Sequence, residues 1–383
     1  MRHKGIFFAL FHNELEKLWA HRAYVLIVAF LIIVVGSSFL VYRSHQLSLQ
    51  QAQTNMQQME HQMGQLRQQE RHASGQSKVE VRQALAADQQ TLQQMKMQGP
   101  IINLKQETQQ LRAQLKHVPS SQQGSILEQL AVAKGALKKG ITQENSLTGL
   151  GLAGALFAGG TMLLFGLMTV GLTSDRFSSE LEGGTWGVLL LHSPRRVPIF
   201  WAKLSASVVL LWAFMLSTAL AILGVTGLLV GFGAPRFPVE VGMRLAAPTQ
   251  PTLPVSIPPQ SFHFISLLTY DVWALLLAML SVSVLGAICV AVSLLTRSSV
   301  LSLIVGAVLV LSEVFAQIAA HWAGWIALVD PAVHLPLVAD WTGSLAQSFN
   351  LADLTMKSGL TVLLAWGVIA VVAGMWAVRR IDL

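Results

Sequence analysis

Residues 150–196 read LGLAGALFAGGTMLLFGLMTVGLTSDRFSSELEGGTWGVLLLHSPRR. Leu150–Thr173 carries no charged side chain and is long enough to cross a bilayer, which takes about 20 apolar residues as a helix. From Ser174 the character changes. Asp175, Glu180 and Glu182 lie on a polar side; Phe177, Leu181, Trp186, Leu189 and Leu190 lie on an apolar one. Gly183-Gly184 should end a first short helix, Thr185 can cap a second, and Pro194 should stop it. A span followed by so patterned a loop indicates a membrane protein with a small amphipathic element lying across one surface.

The rest of the chain extends this pattern. It has 383 residues, of which 53% are hydrophobic and only 12% charged, where a soluble domain would carry about 25% charged. The apolar residues gather into six candidate spans: Tyr24–Tyr42, Leu150–Thr173, Ile199–Phe232, Leu267–Leu295, Val300–Ala320 and Gly359–Val378. Arg2, Lys4, Lys17, Arg22, Arg176, Arg195, Arg196, Lys203, Arg297, Arg379 and Arg380 then fall on one side, which the positive-inside rule makes cytoplasmic, with both termini. The net charge of +7 follows from this distribution and requires no nucleic-acid partner. The first apolar run is too long for the h-region of a signal peptide. The single cysteine, Cys289, lies inside an apolar run and excludes disulfides and cysteine metal clusters.

Residues 1–23 precede the first span, 24–42. Phe7, Phe8, Phe11, Leu15, Leu18 and Trp19 share one helical face there, as expected of an interfacial helix. Residues 43–149 form a Gln-rich insert without Phe, Trp or Tyr up to Asn145, with apolar positions stepping by three and four. Such stepping predicts helices packed along a narrow seam. Breaks fall at Gly99-Pro100, at Ser74-Gly75 and between Pro119 and Gly124. Two arrangements fit: an extended helical hairpin with its tip at Gly99-Pro100, and a compact four-helix bundle. The remainder, 150–383, holds five spans, the inner loop 174–198, a Pro-rich outer loop 233–266 expected to be irregular, and outer helices within 321–357. The fold class is therefore an all-α polytopic membrane protein.

Catalytic motifs are missing: there is no HExxH, no phosphate-binding G-x-x-x-x-G-K-[ST] and no GxSxG. Neither catalytic residues nor a bound metal is expected. His321, Asp330, His334 and Asp340 share an outer segment, but nothing in their spacing fixes a coordination geometry. Glu313, with Gln317 one turn later, is the one acid well inside an apolar run, so it is a candidate for a substrate path or for holding the bundle together. Gly151, Ala155 and Gly159, and again Gly227 and Gly231, recur at a spacing that lets helices approach closely, within one chain or between two.

The inner loop carries the one specific signal. Glu180, Gly184-Thr185, a Leu-rich turn, Ser193-Pro194-Arg195-Arg196 and Lys203 resemble the permease subunits of ABC-2-type exporters, whose corresponding loop reads E-x-x-x-G-T, Leu-rich, Pro-x-Arg, then Lys. The N-terminal interfacial helix, six spans, short outer helices and the basic ending RRIDL extend the likeness. Trp186-Gly187 departs from the Leu-Glu common in that family, and the long insert is not part of its minimal pattern.

The resemblance implies that Glu180, Glu182, Gly184, Thr185, Trp186, Pro194, Arg195 and Arg196 dock onto a separate ATPase. It also implies no cofactor in this chain, ATP and Mg on that partner, two permease copies with two ATPases, and a bacterial plasma membrane. Export of an amphiphilic, peptide-like or lipid-like substrate is the expected task. A mechanotransmitter, or a coiled-coil scaffold or receptor acting on an envelope partner through the insert, fits the same residues.

Overall fold

The computed structural model describes residues 2–21, 23–72, 85–86, 89, 104–116, 123–141, 148–159, 161–187, 196–246 and 262–380. Thirteen helices are used below. They are α1 Arg2–His21, α2 Ala23–His72, α3 Leu104–Leu115, α4 Gln123–Lys138, α5 Gly149–Ala158, α6 Thr161–Thr173 and α7 Ser178–Glu182, followed by α8 Arg196–Leu229, α9 Leu267–Thr296, α10 Ser299–Val329, α11 Leu337–Thr342, α12 Ser344–Phe349 and α13 Met356–Arg379. Strands β1 Pro238–Val241 and β2 His263–Ser266 complete the set.

Four helices are long and apolar enough to cross a membrane among the described residues: α8, α9, the Ser299–Ala319 part of α10, and α13. The segment expected as a single second span is instead two helices, α5 and α6, meeting at 66°; counted as one, the pair makes up to five spans. The break falls between Ala158 and Thr161, where the sequence reads Gly-Gly. Side-chain-free residues cost a helix roughly 1 kcal/mol each, and the Thr161 hydroxyl turns back to the Leu156 carbonyl across the joint. The first expected span lies within α2, which runs unbroken for 50 residues, about 75 Å at 1.5 Å per residue. Its Phe30 packs against Phe165 of α6 and Phe214 of α8, with ring centroids 5.2 and 4.9 Å away.

α9 is the central post, with 67% of its apolar window buried inside the protein, against 22% for α10. Around it Phe157, Phe165, Met215, Leu211, Leu285 and Leu294 form one continuous core. α5 crosses α8 where Gly149 meets Gly227: a Cβ on Gly149 would lie 3.1 Å from the Gly227 Cα. Gly231 lies beyond the end of α8, and its carbonyl accepts from the Gly149 amide. Gly159 caps the end of α5 and faces open space; the close approach in that helix is at Gly154, against Tyr270 and Asp271.

The Pro-rich loop 233–266, expected to be irregular, contains a regular ribbon that its composition did not suggest. β1 and β2 pair antiparallel, with Pro238 opposite Ser266 and Val241 opposite His263. Four-residue strands are too short to show a period of their own, and their partners are separated by the prolines. Above this ribbon, α3 and α4 pack on each other through Leu104, Ala133 and Ala136. The ribbon meets them at Gly135–Pro238 and through the Lys139 ammonium, which donates to the Arg236 carbonyl at 3.1 Å. The described second half of the insert is therefore two helices lying against each other and not one straight arm. The positions around Ser74-Gly75 and Gly99-Pro100 lie outside the described residues.

Candidate functional site

The ends of α1, α6, α8 and α13, the α9–α10 turn and all of α7 gather at one end of the bundle. There residues 174–187, which follow α6, are folded onto the long helices and do not hang free. Phe177 is fully buried and stacks on Phe200 at 6.2 Å; Trp186 folds back onto Phe177 at 5.8 Å and is itself 4% exposed. Burying two aromatic rings stabilises this turn by several kcal/mol. Gly183 closes α7, and Gly184 follows at φ +66°, a conformation that costs residues with a Cβ about 1 kcal/mol. The Thr185 amide and hydroxyl both reach the Glu180 carbonyl, at 3.1 and 3.4 Å.

Beneath α7 lies a cluster of four charges. The Lys203 ammonium of α8 sits 2.9 Å from Glu180 Oε1 and 3.0 Å from Glu14 Oε2 of α1. Lys17 donates to Glu180 at 3.1 Å and to Glu14 at 3.4 Å. The side chains of Lys203 and Glu14 are 1% and 5% exposed, and Lys203 also lies over the Phe177 ring, 5.4 Å from its centroid. A buried ammonium is tolerated only with such partners. Burial alone would raise the Glu180 pKa, but Lys203 and then Lys17 outweigh it and hold the carboxyl below the ordinary glutamate value. For Lys17, burial pulls downward, and Glu14 and Glu180 together raise its pKa. The cluster joins three elements far apart in sequence: α1, α7 and α8.

A second set of contacts joins the same loop to α9 and α10. The Ser293 hydroxyl accepts from the Phe177 and Ser178 amides at 3.1 and 3.0 Å. Glu182 accepts from the Ser299 amide at 2.9 Å and from its hydroxyl at 2.7 Å. These bonds from Ser299 hold the Glu182 carboxyl below its ordinary pKa. Arg196 donates to the Arg379 carbonyl at 3.0 Å, tying the start of α8 to the end of α13.

Of the residues singled out in the sequence, Glu180 faces inward into the charge cluster, Trp186 is core, and Glu182, Gly184 and Thr185 are exposed. Arg196 begins α8, and Pro194 and Arg195 lie outside the described residues. Glu313 is 9% exposed, while Gln317 is exposed one turn on. At the opposite end His334 Nδ1 and Asp340 Oδ2 lie 3.0 Å apart, both fully buried; the His321 side chain is outside the described set. Among the described residues no three His, Cys, Asp or Glu side chains are grouped to hold a metal.

Sequence reasoning did not single out Glu14, Ser293 or Ser299. For Glu14 a signal exists: it continues the spacing of Phe7 and Phe11 toward Leu18, an acid on an otherwise apolar helix face.

No curated protein and no solved structure matches this chain. The family model described as ABC-2 family transporter protein matches residues 8–383, from within α1 to the C-terminal residue. That match covers the loop after α6 and its charge cluster together with the described helices long and apolar enough to cross a membrane, and the chain accordingly belongs to the ABC-2 transporter family of membrane proteins.

Proposed function

We propose that the chain is the permease subunit of an ATP-driven exporter and that the loop 174–198 receives force from a separate ATPase. The observation that carries this reading is the Lys203 cluster, which makes α7 one mechanical piece with α1 and α8. A loop that only connected two spans would have no need to bury a lysine between two carboxylates. In this reading the end holding α1, α7 and Arg379 is cytoplasmic, the first stretch of α2 is a sixth span, and α1 lies in the inner interface. Two copies act with two ATPases in a bacterial plasma membrane, with ATP and Mg held by the ATPase. Closure of the ATPase would push α7 and shift α6 and α8 between inward- and outward-facing arrangements, moving an amphiphilic, peptide-like or lipid-like substrate outward.

One observation favours a mechanical variant of the same reading. α2 continues without interruption from its apolar first turns into the Gln-rich insert, so motion at the membrane would reach an envelope partner some tens of Å away. The test is co-purification of the chain with its ATPase, followed by ATP hydrolysis in lipid nanodiscs. Association with stimulated hydrolysis, reduced by Glu180→Gln and Arg196→Ala, supports coupling. Association and stimulation both unaffected by these changes exclude it.

A further inference from the structure

We infer that Ser299 and Glu182 form a second transmission joint, which carries motion of the inner loop directly into α10, separately from the Lys203 cluster. The inference rests on the reading that this loop receives force. α7 is short, and its two carboxylates are two residues apart, so they project about 200° from each other around the helix axis. One points to α1 and α8; the other points to the start of α10. The N-terminus of that 31-residue helix presents unpaired amides and a positive dipole end, both suited to a carboxylate. Glu182 takes the Ser299 amide and hydroxyl, and the Ser298 hydroxyl takes the Leu301 amide. The loop therefore supplies part of the cap of a helix more than 100 residues away.

The geometry of the other end of α7 gives this joint leverage. Phe177 and Ser178 are pinned by their amides to Ser293 on α9, the most buried of the candidate spans. α10 is the least buried of them, with only 22% of its window covered. Rotation of α7 about the Ser293 anchor would leave α9 in place and displace the first turn of α10 through Ser299. The same helix carries Glu313, buried within the apolar zone, so this joint would couple the loop to the one buried acid along that span. Ser299 is a positioning residue: it acts through α10 and touches neither ATP nor substrate.

The experiment uses the full chain with its ATPase in nanodiscs, in a Cys289→Ala background, with an environment-sensitive fluorophore on Leu303→Cys, which is 46% exposed one turn into α10. Addition of Mg·ATP should shift the emission. Ser299→Ala, which removes the hydroxyl bonds to Glu182 and Ser178, should reduce that shift roughly three- to tenfold, the loss expected for one hydrogen bond of ordinary net strength, without releasing the ATPase. Ser299→Thr should restore it. A full emission shift in Ser299→Ala overturns the joint and leaves the coupling reading standing. Failure of the chain with native Ser299 to retain an ATPase or to show any shift removes the coupling reading, and the joint with it.

Discussion

Lys203 and Glu180 are joined at 2.9 Å across the interface between the inner loop and α8, with the lysine 1% exposed. An ion pair this buried is weak evidence for net stability, because desolvation of both charges opposes their attraction. Its consequence is geometric. Separating the two would strip the buried Lys203 of one of its two carboxylates and leave Glu180 only the half-exposed Lys17, so loop and span are held to move together. Glu14 adds α1 to the same constraint.

Removal of the shared cation should therefore be costly. Lys203→Met leaves Glu14 and Glu180 with only the half-exposed Lys17 between them and should destabilise the protein by up to about 3–5 kcal/mol. Adding Glu14→Gln to Lys203→Met should recover part of that loss, because one repelling charge is gone. Thermal unfolding in detergent, read as a double-mutant cycle, measures the coupling; strict additivity would mean the two residues do not interact.

The cluster also fixes a pH window. Glu180 has a lowered pKa in the folded protein, so its contribution is fully present above the ordinary value of 4.5 and is lost as pH falls through the lowered one. Lys17 has a raised pKa, so its contribution is fully present below the ordinary value of 10.5 and is lost as pH rises through the raised one. Its side chain is 47% exposed, so that second effect should be small. Stability at the inner end should be flat between these limits, with an acid limb that Glu180→Gln flattens. Unfolding midpoints of the two proteins from pH 3 to 7 provide the check.

Trp186 is the aromatic anchor of the loop. Trp186→Ala should cost about 3–5 kcal/mol and leave a cavity over Phe177. Trp186→Phe should cost less, because the contact with the Phe177 ring is largely retained. Protease susceptibility of the loop should rise in the same order.

At the far end, α13 starts against the His334–Asp340 pair. A Cβ on Gly359 would clash with Asp340 Oδ2, so Gly359→Ala should push α11 off α13 and destabilise this end of the bundle by about 1–3 kcal/mol. The inner cluster lies at the opposite end of the bundle, so this change and Lys203→Met should be additive within about 0.5 kcal/mol.

How far the residues behind these relationships stood out in the sequence differs from one to the next, for physical reasons. Glu180 and Lys203 belong to a local pattern next to long apolar runs, and apolar runs of span length are the strongest signal a chain carries. Glu14 was legible only as a polar interruption of an apolar face. The Ser293 and Ser299 contacts were not legible, because hydroxyls 115 to 117 residues from their partners leave no periodic trace. For Gly159 spacing alone could not decide, because a glycine that ends a helix and a glycine that lets one pack close look identical inside an apolar run. The β ribbon escaped notice because each strand has only four residues and the intervening prolines dominate the composition.

In the proposed function, the loop 174–198, α1 and α8 transmit ATPase motion as one piece held by Lys203. The most direct measurement is ATP hydrolysis by the chain reconstituted with its ATPase, compared between the native residue and Lys203→Met at matched amounts of bound ATPase. Stimulation at least about tenfold lower in the variant, with the ATPase still bound, is the result predicted from the loss of a buried charge pair. Equal stimulation in both proteins would contradict it.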